Sequence, residues 1–318
     1  MAGRPPFAEL PISSAYPPGS SWGVFGEDDE LGTVNLLGAA QALRGAALVQ
    51  RGAVFSLNWN IELPAPALFG RNVLRHRIID LDPVGTEDVY DGFYPQASSQ
   101  WDALAHIKHP QHGFYNGRTR AEITGRPGSR IGIDQWARRG IVGRFVLADI
   151  ERYRTASGRP IQAGESDPIG VDDLEACLAW EGTSLEVGDI LLIRFGWIGW
   201  YEQADAQTRA MLAATELFAA AGLAPDLSMA AWLWDRGIAA VVADNPALEV
   251  MPFDESSEDG YLHYRLIPLL GMAVGELFAL DELAADCAAD GIYAGMFTAA
   301  PLNKTGGSGS PANAIAIK

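Results

Sequence analysis

The sequence predicts a single α/β domain. Short apolar runs rich in β-branched residues alternate along the chain with longer segments of helical periodicity, an order that is typical of mixed α/β folds. The chain has 318 residues, 48% of them hydrophobic and 20% charged, so it can bury a sizeable core and has the composition of an ordinary globular protein. No internal repeat or long linker interrupts it. We therefore expect one domain over residues 1–318.

The elements follow in order from the N-terminus. Residues 1–20 are rich in Pro, Ser and Gly, which predicts an extended arm packed on the surface or on a neighbouring subunit. Apolar runs predict six strands, several of them buried: Ala53–Ile61, Val73–Leu81, Phe145–Ile150, Ile190–Phe195, Ile238–Ala243 and Ala312–Ile317. Helical periodicity predicts four helices: Ala39–Gln50, Gly170–Trp180, Ala206–Ala221 and Ser228–Arg236.

The charge balance excludes some classes of partner. The formal net charge is −17, with only 23 Lys and Arg residues, which argues against nucleic-acid or anionic-membrane binding because both need basic patches. Anionic substrates are compatible only with a locally positive site. The two cysteines, Cys177 and Cys287, are expected to be reduced core thiols. Without an apolar leader or a run of eighteen apolar residues, the protein is expected to be cytoplasmic.

The segment Ser98–His106 contains the first candidate metal ligands. Asp102 and His106 lie four residues apart, beside His109 and His112, in a chain with five histidines. Carboxylate oxygen and imidazole nitrogen are ligands for Zn²⁺ or Mn²⁺. If the segment is helical, both side chains share one face. From the residue types alone, a His-rich surface loop with a capping Asp is an equally good interpretation.

The same segment resembles the signature of the cyclase family of metal-dependent hydrolases, which includes bacterial kynurenine formamidase and isatin hydrolase. That signature reads His-x-Gly-Thr-His-x-Asp-x-Pro-x-His, and its Asp and final His match Asp102 and His106. The resemblance therefore implies that these two side chains bind a metal ion.

Four departures from the signature are informative. Gln96 and Gln100 stand where the family has its first two histidines, Ser98-Ser99 replaces Gly-Thr, and Leu104 replaces Pro. Two of the family's usual metal ligands are therefore missing, although Gln100 could ligate weakly through its amide oxygen. We interpret the chain as a member of a Ser-Gln-Trp-Asp branch that holds one metal ion rather than two.

A later part of the chain supplies further ligands. His263 and Glu276 resemble the C-terminal His and Glu of the family, so the resemblance implies one Mn²⁺ or Zn²⁺ held by Asp102, His106, His263 and Glu276. Composition alone favours other roles: Glu276, which follows the apolar run Leu266–Val274, would be a helix-end residue or ion-pair partner, and His263 a hydrogen-bonded core histidine.

Other segments extend the resemblance over nearly the whole chain. They are Trp22–Asn35, Phe114–Gly117, Gly188–Arg194 and Val242–Asn245. The resemblance implies a β/β/α fold around a mixed, partly barrel-like sheet, assembled as a homo-oligomer, a dimer or tetramer.

Several residues are candidates for catalysis. His106 and Gln100 belong to the signature segment, and the general base is left open among His109, Glu249 and a metal-bound carboxylate. Histidine suits proton transfer because it titrates near neutral pH. For His109, a place in a mobile loop is the competing interpretation.

Four more residues are candidates for substrate binding. Ser99 and Asn116 could hydrogen-bond the substrate or the attacking water, and Trp22 and Trp101 could form apolar walls for a cyclic substrate. Aromatic residues are more often simply core, and Asn116-Gly117 also fits a tight turn.

The leading functional hypothesis is a metal-dependent hydrolase that opens a small cyclic amide or ester, or cleaves a related amide, with a metal-activated water. A metal-dependent cyclase or dehydratase is one alternative, and a metal-free binding protein that keeps the fold is another. The sequence contains neither a Gly-x-Ser-x-Gly nucleophile elbow nor a Rossmann fingerprint, which leaves serine hydrolase and dehydrogenase activities unsupported.

Overall fold

The computed structural model describes residues 4–318, so the first three residues of the predicted arm lie outside the described residues. A nine-stranded mixed sheet curls into a half-barrel. This architecture confirms the predicted α/β fold with a mixed, partly barrel-like sheet.

The strands are numbered along the chain. They are β1 (Val54–Ser56), β2 (Arg75–Asp80), β3 (Thr86–Asp91), β4 (Gln100–Asp102), β5 (Ile141–Asp149), β6 (Pro168–Ile169), β7 (Ile190–Arg194), β8 (Gly222–Leu223), β9 (Ala240–Ala243), β10 (Ala273–Glu276), β11 (Ala294–Ala299), β12 (Gly309–Pro311) and β13 (Ala314–Ile317). The main sheet has the order β1-β13-β11-β5-β7-β9-β10-β4-β12, whereas β2 pairs with β3 and β6 with β8 in two small sheets.

The helices are numbered in the same way. They are α1 (Ala39–Ala46), α2 (Ile133–Arg139), α3 (Ile150–Ala156), α4 (Val171–Trp180), α5 (Trp197–Gln203), α6 (Ala206–Ala214), α7 (Leu227–Asp235), α8 (Leu262–Tyr264) and α9 (Asp281–Asp290). A single π-helical turn, Arg265–Leu269, continues α8.

The centre of the sheet is parallel and buried. Strands β5, β7, β9 and β10 run parallel to one another, and almost all of their residues are inaccessible to solvent. Parallel strands covered on both faces need continuous apolar sequence. This requirement explains why the runs at Phe145–Ile150, Ile190–Phe195 and Ile238–Ala243 were identifiable as strands.

Two antiparallel strands, β4 and β12, form the edge of the sheet next to β10, where the candidate site lies. Strand β4 lies between β10 and β12, and Glu276 is paired with Gln100 and Val274 with Asp102. Because side chains alternate along a strand, Gln100 and Asp102 point to one face and Trp101 to the other. Paired residues share a face, so Glu276 joins Gln100 and Asp102.

The predicted helix Ala206–Ala221 is wrong over its second half. Helix α6 ends at Ala214, and the chain then enters the core, where Ala220 exchanges backbone hydrogen bonds with Met251 and Ala221 donates to Ala163 O at 3.1 Å. The high helix propensity of alanine is overridden by these tertiary contacts.

The run Val73–Leu81 forms β2, but in an exposed position. Strand β2 pairs only with β3, and in this hairpin Ile78 is 65% and the loop residue Val84 83% exposed to solvent. Its alternating polar residues distinguish it from the buried central strands.

The N-terminal arm, from Arg4 onward, packs on α7. The backbone N–H of Phe7 donates to Asp235 Oδ1 at 2.7 Å, and Trp234 Nε1 donates to Pro5 O at 2.9 Å. Both cysteines are buried free thiols, as predicted. Within residues 4–318 no helix combines the length and apolar character needed to cross a bilayer.

Candidate metal centre

Three of the four predicted ligands converge in the interior. Asp102 ends β4, Glu276 ends β10 and His263 lies on α8, and each is at most 4% exposed. One donor atom from each residue lies within 4.8 Å of the other two. The pairing of β4 with β10 therefore assembles ligands that are far apart in the sequence.

His263 is oriented by a buried carboxylate. Its Nδ1 lies 2.7 Å from Glu249 Oε2, and because a carboxylate can only accept, Nδ1 donates. The opposite nitrogen, Nε2, lies 3.1 Å from Glu276 Oε1 and 3.7 Å from Asp102 Oδ2. Tyr261 stacks on the imidazole at 5.0 Å between ring centroids. A carboxylate on one nitrogen that fixes the other toward the ligand position is typical of metal-binding histidines.

His106 lies on the solvent side of the centre. Its Nε2 is 3.6 Å from Asp102 Oδ1, and 27% of its side chain is exposed. The segment is not helical, because Asp102 ends a strand and a turn follows in which His106 N donates to Ala103 O at 2.8 Å. The turn, rather than a helical face, brings the two side chains together.

The buried oxygens of the centre fit a cation. Asp102 Oδ1 and Gln100 Oε1 are buried and have no hydrogen-bond partner among residues 4–318, whereas Gln100 Nε2 donates to Glu276 Oε2. Unpartnered buried oxygens are costly, and a divalent cation would satisfy them. Two carboxylates and two imidazoles are also a ligand set that Zn²⁺ or Mn²⁺ accepts. The residues therefore fit one divalent metal ion.

The pKa values of the candidate ligands also favour a bound cation. Burial, together with the nearby Asp102, raises the pKa of Glu276 to about 7. Burial also acts to raise the pKa of Asp102, but His106 and other basic neighbours outweigh it and the pKa is lowered. Burial lowers the pKa of His106, which favours the neutral imidazole that a metal needs. Two carboxylates held this close repel each other unless a cation lies between them.

Burial acts against protonation of His263, but its acidic neighbours dominate. The Glu249 charge, Tyr261 and a hydrogen bond to Asp102 raise the pKa of His263 well above its ordinary value. In the protein without metal, this imidazole therefore carries a proton that a metal ion must displace.

Glu249 and His109, the two side-chain candidates for general base, lie in different surroundings. Glu249 is fully buried and holds His263. His109 belongs to a second cluster with His112 and Glu258. Its Nε2 lies 2.9 Å from Glu258 Oε1, and no hydrogen bond or ion pair within the described chain, residues 4–318, joins it to the metal centre.

The second cluster is not arranged for metal binding. His109 Nδ1 accepts the backbone N–H groups of Gln111 at 3.2 Å and His112 at 3.3 Å, so the neutral ring carries its proton on Nε2 and donates it to Glu258. The rings of His109 and His112 stack at 4.5 Å. His109 therefore has no free nitrogen lone pair to offer a cation.

The two predicted tryptophan walls are part of the core. Trp101 is fully buried on the face of β4 opposite Asp102, where its Nε1 donates to Ala312 O at 2.9 Å. Trp22 donates from Nε1 to Pro268 O at 2.7 Å and so supports the turn that follows His263. The structure does not bring either ring to the ligands.

Ser99 and Asn116 also have structural contacts. Ser99 Oγ donates to Leu277 O at 2.5 Å and accepts from Trp59 N at 2.7 Å. Asn116 has a left-handed backbone with φ 52°, and its Oδ1 accepts from Gly23 N at 3.1 Å. Their polar atoms are used by the fold, and residue type alone could not distinguish this from substrate binding.

Sequence reasoning missed Arg71. Its Nη1 donates to Gln96 O, its guanidinium lies 5.0 Å from the Phe69 ring centroid, and its charge acts on Asp102 and Glu276. The residue belongs to no signature, and Arg75 and Arg77 follow it closely, so nothing in the sequence distinguished it.

Comparisons with known proteins identify the family. Residues 61–250, more than half of the chain, match a family model described as "Putative cyclase". A crystal structure described as a novel cyclase is 31% identical, covers 94% of this chain and 99% of its own, and superposes with a TM-score of 0.83. The chain therefore belongs to the cyclase family.

Two isatin hydrolases share the fold at lower identity. Isatin hydrolase A from Labrenzia aggregata, bound to benzyl benzoate, is 15% identical with a TM-score of 0.59 and covers 85% of this chain and 94% of its own. Isatin hydrolase A from Ralstonia solanacearum is 17% identical with a TM-score of 0.57 and covers 88% of this chain and 95% of its own. No curated protein matches the chain.

Proposed function

We propose that the protein is a metal-dependent hydrolase that opens a small cyclic amide or ester, or cleaves a related small amide. Its single Mn²⁺ or Zn²⁺ would be held by Asp102, His106, His263 and Glu276. The observation that carries the proposal is the buried convergence of three ligands with an unpartnered Asp102 Oδ1 among them. Membership in a family with structurally similar isatin hydrolases supports a hydrolytic reaction.

When bound, such a cation lowers the pKa of water and polarises a carbonyl oxygen. The chain's own residues set the geometry: Glu249 holds the His263 ring, and the Gln100 amide holds Glu276. With Glu249 bound to His263, and His109 bound to Glu258, a carboxylate of the centre is the favoured proton acceptor.

The test is metal content together with product mass. Elemental mass spectrometry of protein purified without chelators is expected to give about one equivalent of Mn or Zn, and Asp102→Ala is expected to lose it because a central carboxylate is removed. His109→Ala is the matched control and should keep its metal. A panel of lactones and lactams should then gain the mass of water, whereas a cyclase or dehydratase would not add it.

An Asp102→Ala variant with full metal content and activity would contradict the proposal. Wild-type protein that takes up no metal, even after incubation with Mn²⁺ or Zn²⁺, would favour a binding protein that keeps the fold.

We also propose that the protein assembles with copies of itself through the β2–β3 hairpin. A two-stranded hairpin is marginal alone, and this one exposes apolar side chains, with Ile78 at 65% and Val84 at 83%, of the kind that mark interaction sites. Sedimentation analysis is expected to give a dimer or tetramer, and Ile78→Asp should shift it toward the monomer. A monomeric wild type would contradict this proposal.

A further inference from the structure

Arg71 is held at the edge of the metal centre by the backbone. Its Nη1 donates to Gln96 O, and the side chain of Gln96 packs against Gly309, which is paired with Asp102 across β12 and β4. The guanidinium carbon also lies over the Phe69 ring, 5.0 Å from its centroid. These contacts place a cation beside the ligand strand.

The Arg71 guanidinium has N–H groups that are not used in hydrogen bonds. Within the described part of the chain, its only side-chain hydrogen bond is to Gln96 O, and no Asp or Glu forms an ion pair with it. Its Nε and Nη2 have no hydrogen-bond partner among residues 4–318 and are accessible to solvent. A partly buried cation without a carboxylate partner is uncommon, and planar N–H donors suit bidentate binding of a carboxylate.

Charge at the centre is balanced once a divalent metal is bound. Asp102, Glu276 and Glu249, when ionised, carry three negative charges, and the metal and Arg71 together carry three positive ones. In a protein with a net charge of −17, Arg71 therefore presents a positive charge beside a centre whose own charge is neutralised.

We infer that Arg71 binds a carboxylate on the substrate, so that the substrate class is a carboxylate-bearing lactone, lactam or small amide. This inference rests on the proposed function. Arg71 thereby acts as a specificity residue, and the metal ligands act on the bond to be cleaved.

The test compares two matched probes, cyclopentanecarboxylate and cyclopentanecarboxamide, by calorimetric titration of the metal-loaded protein. The wild type is expected to bind the carboxylate more tightly. In Arg71→Gln the preference, expressed as the ratio of the two Kd values, should fall about tenfold or more. Arg71→Lys should keep part of it, because the charge remains but the planar fork is lost. Arg126→Gln, at an exposed arginine, is the matched control and should behave as wild type.

An unchanged preference in Arg71→Gln would overturn the inference, as would a wild type that does not prefer the carboxylate or binds neither probe. Loss of metal or a lowered melting temperature in both Arg71 variants would assign Arg71 a purely structural role and also overturn it. Because metal content is measured on the same samples, absence of metal from the wild type would instead count against the proposed function.

Discussion

Two histidine–glutamate pairs in this protein look alike and differ in what they can do. His263 lies 2.7 Å from Glu249 and His109 lies 2.9 Å from Glu258. In the first pair Nδ1 donates to the carboxylate, which leaves Nε2 facing two more carboxylates. In the second, Nδ1 accepts backbone N–H groups and Nε2 is used by the carboxylate. The direction in which the second ring nitrogen faces, and not the presence of histidine, decides which pair can bind a metal, because only the Nε2 of His263 faces further carboxylate ligands.

The acidic partners differ as well. Glu249 is fully buried, whereas the side chain of Glu258 is 36% exposed and is shared with Arg265 at 3.0 Å. An arginine at this distance competes with any cation. A buried carboxylate devoted to one histidine is instead the arrangement that strengthens a metal ligand.

The largest contrast is expected when each histidine is removed. His263→Ala should weaken metal binding by at least about 100-fold, because losing a direct ligand costs more than losing a supporting residue, whereas His109→Ala should leave it unchanged. The measurement is a competition titration with a chelating dye. Equal effects of the two substitutions would abolish the distinction between the pairs.

A smaller contrast is expected for the glutamates. Glu249→Gln should weaken metal binding by about 10- to 100-fold, since the charge that supports His263 is lost while a hydrogen-bond acceptor remains. Glu258→Gln should not change the affinity. The same dye titration checks this, and a fall in affinity for Glu258→Gln would show that the second pair supports the metal after all.

The smallest effect is expected from pH. The pKa of Glu276 is raised to about 7 and that of His263 well above its usual value, so protons occupy these ligands at lower pH and metal must displace them. Metal affinity should therefore fall as pH falls from about 7.5 to about 7.0, by up to about tenfold in all if two protons are displaced. An affinity independent of pH over this range would contradict the assignment of these ligands.

Much of the candidate site could be predicted because its signals are local. The signature segment contains Asp102 and His106, and the later element contains His263 and Glu276. Three of these residues converge in the interior, with the fourth 3.6 Å from Asp102. The supporting role of Glu249 was not predictable, because nothing in its local sequence indicates that it faces the Nδ1 of His263.

Residue type did not predict the role of a side chain where that role depends on the direction in which the side chain points. Trp101 and Asp102 are adjacent, yet one belongs to the core and the other to the metal centre, because the pleat of β4 sends them to opposite faces. Ser99 and Asn116 carry suitable polar groups, but the fold uses those groups itself.

The sequence by itself determined the α/β class, the central buried strands and the residue types of the ligand set, because apolar periodicity and a conspicuous Asp–His segment are local properties of the chain. Tertiary structure alone decided which nitrogen of His263 faces Asp102 and Glu276, which face of β4 carries the ligands and that Arg71 lies beside them. Those features depend on pairing between β4 and β10 and on hydrogen bonds between residues distant in sequence, and no local pattern specifies such long-range geometry.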